Sequence, residues 1–585
     1  MKYLELAEVY EGLESTSKRL EKTWIISRFL RKTSADDLPS ITLLLQGKVF
    51  PSWDERKIGV AARMVLKSIN VATGISIDRI ESEWKKIGDL GKVAEKLVGA
   101  KKQKTLFSQE LSVSKVFNNI RKLSELEGAG SVDQKVQLIA ELLTSAKPLE
   151  ARYITRTILE DLRVGVADGT LRDAVVWAFF EKDVKLNYDE KEKTIEPDNR
   201  EKYNEYAEAV QNSYNVCNDF SAVAEAARKE GLKGLDKISL KTGKPIKVML
   251  YQKAKDMKDA FERVGKPAAL EFKYDGFRIQ VHKKDDNVTL YTRRLEEVTK
   301  QFPEVVKCIK SNVKGKNFIL DSEAVGFDRK TGKYLPFQSI SQRIKRKYNI
   351  EEIAEKFPVE LNVFDIISLD GKNLIKEPFR KRRELIERIL KPVPKKIVLA
   401  KQLVTDDLKK AEKFYKESLE LGEEGIMAKN LDGIYKPGSR VGFGVKIKPT
   451  METLDLVIVG AEWGTGKRSG WLSSFVLACR DESTGDFLEI GRVGTGIKEL
   501  EGSGVTFENL TELLKPLITK ESGRSVAIKP KIVIEVTYEE IQKSPTYSSG
   551  FALRFPRLVK LRDDKGADEA SELKYVEDLY YGQKR

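Results

Sequence analysis

Residues 269–282, ALEFKYDGFRIQVH, decide how the middle of this chain folds. Ala269 to Lys273 read as a strand. A glycine-containing turn follows at Asp275-Gly276, and in the run beyond it Phe277, Ile279 and Val281 alternate with Arg278, Gln280 and His282. Alternation of period two marks a half-buried strand, so the stretch is a strand–turn–strand unit. Glu271 and Lys273 then share one face. A lysine near the end of a buried strand, with a glycine that allows close approach, has the placement a nucleophile needs. It would require a pKa below the free value of about 10.4. A K-x-D-G match alone also occurs in surface hairpins, so the reading rests on its surroundings.

Moving outward, alternation continues at Val288 and Leu290, and further strands are expected over 318–325 and 359–367. Residues 236–449 are therefore expected to form a mixed α+β domain. Before it, residues 1–235 read as helical and all-α. Apolar residues three and four apart predict helices over 4–20 and 132–143, with Val132, Val136, Ile139 and Leu143 on one face. The run 151–183 predicts two helices broken at Gly165 and Gly169, the second capped by Asp168 or Thr170. The charged stretch 189–203 is expected to be a loop. Beyond Pro449, the runs LDLVIVGAEW, SFVLACR, FLEIGRV and KIVIEVTYEEI alternate with glycine-rich turns. That pattern suits a small β-barrel over 450–585, with the OB-fold as the favoured form. No internal repeat is evident.

The chain has 585 residues, enough for two to four domains, and 41% are apolar and 33% charged, a globular composition. It has one histidine, His282, and three scattered cysteines, Cys217, Cys308 and Cys479. A serine–histidine relay would have to run through His282. Zinc sites built from three histidines or four cysteines cannot be assembled, and three scattered cysteines argue against a disulfide framework, so a reducing compartment is expected. A metal, if used, would be bound by carboxylates, which points to Mg²⁺, with Mn²⁺ as the alternative. No apolar run approaches the roughly 20 residues of a membrane span, and the acidic start MKYLELAEVYEG is not a signal peptide. The expectation is a cytoplasmic protein with no membrane association. Lys and Arg exceed Asp and Glu by 105 − 90 = 15. That charge suits a polyanionic partner, although a heat-adapted surface would explain it as well.

Further candidate groups follow Lys273 in chain order. Asp321 and Glu323 lie two apart on an expected strand, and Glu424 could supply a second carboxylate to a metal. Lys429 follows, then Lys446 and Lys448 on one strand face. Arg293, Arg343 and Arg440 suit bidentate phosphate contacts, and Phe364 could stack on a base. A nucleophilic lysine, metal-binding carboxylates, phosphate-binding cations and an aromatic platform are together the equipment of nucleotidyl transfer.

The segments KYDGFR, YTRRLEEVT, FILDSEAV, NVFDI, EEGIMAK and KIK resemble, in this order, the six core motifs of the ATP-dependent DNA ligases. RFPRLVKLRDDK (554–565) resembles the family's last motif. DLRVGVADGTL (161–171) and WGTGKRSGWLSSFVLAC (463–479) are similar to segments of the helical DNA-binding and OB domains of archaeal and eukaryotic replicative ligases. The resemblance covers nearly the whole chain. It implies an all-α DNA-binding domain, an adenylation domain and an OB-fold barrel. It also implies nick sealing in duplex DNA through a lysyl-AMP on Lys273, in replication, repair and recombination.

The same resemblance implies that Glu271 reads adenine and Phe364 stacks on it. Arg278, Arg293 and Arg343 would contact ribose or phosphate, and Glu323 and Glu424 would bind the metal. Lys429, Lys446 and Lys448, with Arg440, would hold phosphates. Arg562, Asp564 and Lys565 would orient pyrophosphate, with Arg554 and Arg557 nearby or on DNA. Gln103, Leu106 and Phe107 resemble a motif that docks on a PCNA-type sliding clamp. The chain is expected to act as a monomer. One position departs from the pattern: many relatives carry a tryptophan two residues before the first lysine of KIK, where this chain has Gly444. A family of NAD-dependent ligases is disfavoured, because its four-cysteine zinc site cannot be formed here.

Overall fold

The structure is a computed structural model that describes all residues except 55, 101–109, 129, 336, 346–347, 439, 450–451, 465–467, 469, 500–503 and 584–585. Gln103, Leu106 and Phe107 thus lie outside the described residues. By density of contacts, one compact unit comprises Met1–Glu412 with Met427–Lys446. A second comprises Lys413–Ile426 with Ile447–Arg585. The helical and mixed regions, expected as separate domains, belong to the same unit. They are knit together by Lys247, which pairs with Asp168 (2.9 Å) and lies over the Tyr214 ring (4.2 Å), and by Asn218, which donates to Pro245 O (2.8 Å).

The first 236 residues are mainly helical. The expected 4–20 helix is two, Tyr3–Ser15 and Arg19–Lys32, because Thr16 takes up extended backbone that ends the first. The 151–183 run contains helices Pro148–Ile158 and Asp168–Phe179, and the break between them holds Arg163 and Gly165 at positive φ. Neither Asp168 nor Thr170 caps the second helix. Its cap position is Ala167, and Asp168 turns outward to Lys247 and Gln46. Part of the charged stretch expected as a loop is a hairpin, Leu186–Asp189 with Thr194–Pro197. It is anchored because Tyr188 stacks on Trp24 (4.4 Å) and Lys193 pairs with Glu21 (3.1 Å).

Between helices Leu90–Gly99 and Pro148–Ile158, a Cβ on Gly91 would lie 2.7 Å from Arg152 O and 2.7 Å from Arg156 Cγ, so only glycine permits this contact. Arg156, 2% exposed, is held there by Glu14 (2.7 Å) and Asp89 (2.6 Å).

The mixed region contains two sheets. Its main strands are β1 (Leu250–Lys253), β2 (Ala268–Lys273), β3 (Phe277–Lys284), β4 (Asn287–Thr292), β5 (Asn317–Phe327), β6 (Val359–Leu369), β7 (Gln402–Thr405), β8 (Gly425–Asn430) and β9 (Arg440–Ile447). One sheet runs β4-β3-β5-β6 with three short strands added, and the other runs β7-β2-β8-β9-β1. The expected alternation is realised on β3. Phe277, Ile279 and Val281 enter the core with Leu290, Leu320 and Val363, while Arg278, Gln280 and His282 line the opposite face. The chain therefore leaves one sheet at Lys273 and enters the other at Phe277, and the Tyr274-Asp275-Gly276 turn is the crossing point.

In the C-terminal unit, Leu454–Trp463 pairs with Leu472–Arg480 along one side. On the other side it pairs first with Val533–Thr537 and then with Ser525–Ile528. This mid-strand change of partner bends the sheet into the expected OB-like barrel. Leu454, Leu456 and Ile458 point into its core. The run KIVIEVTYEEI is two strands, Val533–Thr537 and Glu540–Lys543.

Replacement of Arg156 by Ala would remove the shortest ion pair of both carboxylates, leaving Glu14 with Lys92 and Arg152 (3.7 Å each) and Asp89 with Arg163 (3.5 Å). It is expected to cost about 2–3 kcal/mol, read from the thermal unfolding of the full chain. Burial pushes the Asp89 and Glu14 carboxyls up, but Arg156 more than offsets this and holds both below their ordinary values. Depressed carboxylates stabilise the fold above the unfolded pKa and lose that contribution as pH falls through the folded value. The gap between wild type and Arg156→Ala should therefore close below about pH 4.

Candidate active site

Lys273 is the last residue of β2 and is half-buried. Gly276 sets how closely the turn beyond it approaches β5. A Cβ there would lie 2.3 Å from Ala324 O and 3.0 Å from Glu323 Cγ. Absence of a side chain at Gly276 thus presses the turn onto the strand that carries Glu323. Tyr274, buried beside it, accepts a hydrogen bond from Lys401 N (2.9 Å), which ties the turn to the chain entering β7.

Glu271, two residues before the lysine, is 2% exposed. Gln402 Nε2 donates to its Oε1 (2.9 Å), Lys429 pairs with its Oε2 (2.5 Å) and Arg383 stands 3.6 Å away. Lys429, expected among the phosphate cations, is instead buried against this carboxylate and the rings of Phe364 (4.8 Å) and Phe379 (4.6 Å). Phe364 on β6 is half-buried and also lies under the Arg278 guanidinium (5.3 Å). Arg278 is held by Asp321 through two hydrogen bonds (2.8 and 2.5 Å) and donates to Met249 O (2.9 Å). Burial lowers its pKa, but Asp321 more than reverses this and keeps it charged. Asp321 also accepts from Tyr435 Oη (2.8 Å). On the next stretch of β6, Asp365 holds Arg382 through two bonds (2.7 and 3.0 Å).

The remaining expected residues divide. Glu323 faces Arg278 across the β3–β5 pair. Lys446 lies on β9, and Arg440 is the first residue of that strand. Arg293 is exposed just beyond β4. Arg343 is not brought to this site. It is 1% exposed and donates to Phe357 O (2.8 Å), Gln301 O (2.9 Å) and Glu304 (2.7 Å) over the Phe302 ring. The apolar face of its helix turns it inward, so a phosphate contact is replaced by backbone carbonyls. His282 is buried with its pKa pushed down to about 3, and its Nδ1 accepts from Gly243 N (3.1 Å). It is a neutral brace for the Gly243 turn.

In the second unit, Glu424 pairs with Lys448 (2.5 Å), which also reaches Glu539 (3.3 Å). Burial would lower the Lys448 pKa, but these carboxylates raise it. In the barrel, Asp455 receives both Arg562 (2.8 Å) and Lys565 (2.8 Å), and Arg562 also grips Asp564 (2.8 Å). The Arg562 hydrogen bond holds the Asp564 carboxyl at about 2. Between Arg554 and Arg557, Phe555 is 68% exposed at positive φ. Sequence reasoning missed Asp455 and Gln402, and it offered Asp321 as a metal carboxylate where the structure gives it to Arg278 and Tyr435. The period-two position of Asp455 between two core leucines was the one available signal.

A strand-end lysine beside an aromatic platform, a buried carboxylate and paired cations defines a site of the nucleotidyl-transfer class. Family models agree: that for the ATP dependent DNA ligase domain matches residues 248–448, the DNA ligase N terminus 2–176, and the ATP dependent DNA ligase C terminal region 468–565. A DNA ligase of Nanoarchaeum equitans is 47% identical over 99% of this chain and 98% of its own length. A DNA ligase of Thermococcus onnurineus is 45% identical over 100% and 99%. The solved structure named Pmar-Lig_PreS3 shares the fold, with a TM-score of 0.56 at 18% identity over 95% of this chain and 99% of that one. The chain belongs to the ATP-dependent DNA ligase family. Among the described residues, no helix is long and apolar enough to cross a membrane.

Gly276→Ala tests the pressed turn. Its Cβ would meet backbone rather than a yielding side chain, so the strand pair must shift, at a cost of about 1–3 kcal/mol. The expected result is a lower Tm and a loss of self-adenylation of roughly ten-fold or more, measured with labelled ATP.

Proposed function

We propose that this chain seals nicks in duplex DNA with ATP, through three transfers that begin at Lys273. The Lys273 nitrogen attacks the α-phosphorus of ATP. A phosphorus–nitrogen bond forms, the bond to the bridging oxygen breaks and pyrophosphate leaves. The 5′-phosphate at the nick then displaces Lys273 from AMP. Finally the 3′-hydroxyl attacks that phosphate, AMP departs and the strand is closed. The observation that carries this reading is the arrangement around β2. Glu271, Phe364, Lys429 and Arg278 are interlinked beside a lysine whose turn is pressed against Glu323.

In this reading Glu271 accepts from the adenine amino group and Phe364 stacks on the ring. Arg278, with Arg293, contacts the ribose and α-phosphate. Lys446 and Lys448, with Arg440, neutralise the triphosphate, while Arg562, Asp564 and Lys565 orient the leaving pyrophosphate. Lys429 acts through Glu271.

Mg²⁺, or Mn²⁺ in its place, would be held by Glu323 and Glu424. Among the described residues, no group of three or more His, Cys, Asp or Glu side chains could hold a metal by itself. That fits an ion bound by one or two carboxylates, with substrate phosphate completing its shell. When bound, it supplies charge neutralisation at the phosphates.

The helical region would grip duplex DNA through its phosphates, without sequence preference, and Arg554 and Arg557 would add phosphate contacts from the barrel. Affinity for nicked duplex should then fall steeply with salt. Gln103, Leu106 and Phe107 would dock a PCNA-type clamp, serving replication, repair and recombination. Combined Gln103→Ala and Phe107→Ala should abolish clamp binding by calorimetry and leave sealing of a short nicked duplex intact.

Incubation with α-labelled ATP and Mg²⁺ should label the wild-type chain and leave Lys273→Ala unlabelled. Nicked duplex should discharge the label as AMP with a sealed strand. Absence of label on the wild type would remove the reading.

A further inference from the structure

Gly444 lies on β9 two residues before Lys446, and Tyr251 occupies the space beside it. A Cβ on Gly444 would fall 2.3 Å from Tyr251 Cε1 and 2.6 Å from Cδ1, so the ring lies directly on the glycine. The contact crosses the parallel β1–β9 pair, in which Val445 faces Gln252 and Lys446 faces Lys253. Val445 and Ile447 are buried on the opposite side, so Gly444 and Lys446 share the face that Tyr251 covers. β1 is the edge strand of its sheet. An aromatic ring laid on a neighbouring-strand glycine shields exposed backbone and stiffens the pair.

The ring also packs on the cluster of Ile246, Met249, Ile319, Ile367 and Tyr435 that bridges the two sheets. Its hydroxyl is driven up mainly by burial and lies in the field of Asp365, Arg278, Arg382 and Glu271, the groups around the Phe364 platform.

We propose that Tyr251 is a positioning residue for ATP: laid across Gly444 from the edge strand, its ring braces β9 beside Lys446. Tyr251 walls the nucleotide pocket beside Arg278 and fixes the strand that presents Lys446. The inference rests on the ligase reading above.

The test compares wild type, Y251A, Y251F and the double variant Y251A/G444W in full-length chain. It follows KM for ATP and the saturating rate of lysyl-adenylate formation, with Tm for each. Y251A is expected to raise KM roughly ten-fold, with a smaller effect on the saturating rate, and Y251F to stay within about two-fold of wild type. Y251A/G444W is expected to recover most of the lost KM, because the tryptophan refills the space from the other strand. A merely structural tyrosine would lower Tm without moving KM. An unchanged KM in Y251A, or a double variant no better than Y251A, overturns the proposal. A wild type that forms no lysyl-adenylate overturns both readings, whereas a competent wild type with an unaffected Y251A overturns this one alone.

Discussion

The buried pair of Arg278 and Asp321 joins the two sheets of the mixed region, and the site depends on how they are joined. Arg278 and Asp321 lie on adjacent strands of one sheet, at 2.8 and 2.5 Å through two bonds. Around them gather groups that belong to the other sheet. Met249 O, just ahead of β1, accepts from Arg278, and Tyr435, between β8 and β9, donates to Asp321 while its oxygen accepts from Met249 N. Asp365 and Arg382 repeat the device, with Arg382 reaching Gly433 O (3.1 Å). Desolvating such pairs consumes much of their attraction, so they add little to net stability. What they provide is register. An apolar interface would tolerate sliding, whereas a two-bond arginine–carboxylate pair accepts one geometry.

That register is what brings the residues of β2, β3, β5 and β6 to one place. Lys273 ends a strand of one sheet, and Phe364 and Glu323 sit on strands of the other. Glu271 and Phe364, 93 residues apart, both meet Lys429, and the chain passes between the two sheets at Gly276, where Ala324 O leaves no room for a side chain. The glycine of K-Y-D-G is thus required by β5, not by flexibility of the turn.

The strands were legible because alternation needs only neighbours in sequence: β3, β5 and β6 each contain the expected run and extend it by a few residues. Motif order located Lys273, Glu271 and Phe364. What sequence could not display was partner choice. An arginine in a motif looks alike whether it meets phosphate or carbonyl, and Arg343 turned inward to Phe357 and Gln301. Asp168 looked like a helix cap until Lys247, 79 residues away, claimed it. The 186–197 hairpin was hidden by its charge, because the Trp24 ring that anchors it lies over 160 residues earlier.

The same partner choices explain how a chain with an excess of 15 positive charges can bury several of them. Lys429 is neutralised by Glu271, Arg278 by Asp321, Lys448 by Glu424, and Arg562 by Asp455 and Asp564. An unpaired cation at the depth of Lys429 would be costly, and each of these cations is held against a carboxylate. A nucleotide's phosphates can replace a carboxylate partner with little change in local charge, which makes exchange between partners cheaper than desolvating a free ion. Partly exposed pairs, such as Lys448 with two acidic neighbours, leave room for that exchange. Pairs sealed between strands, such as Arg382 with Asp365, do not, and remain part of the frame. The single histidine is consistent with this division: buried and neutral, His282 braces the Gly243 turn, and the ion pairs named above are built from lysine, arginine and carboxylate.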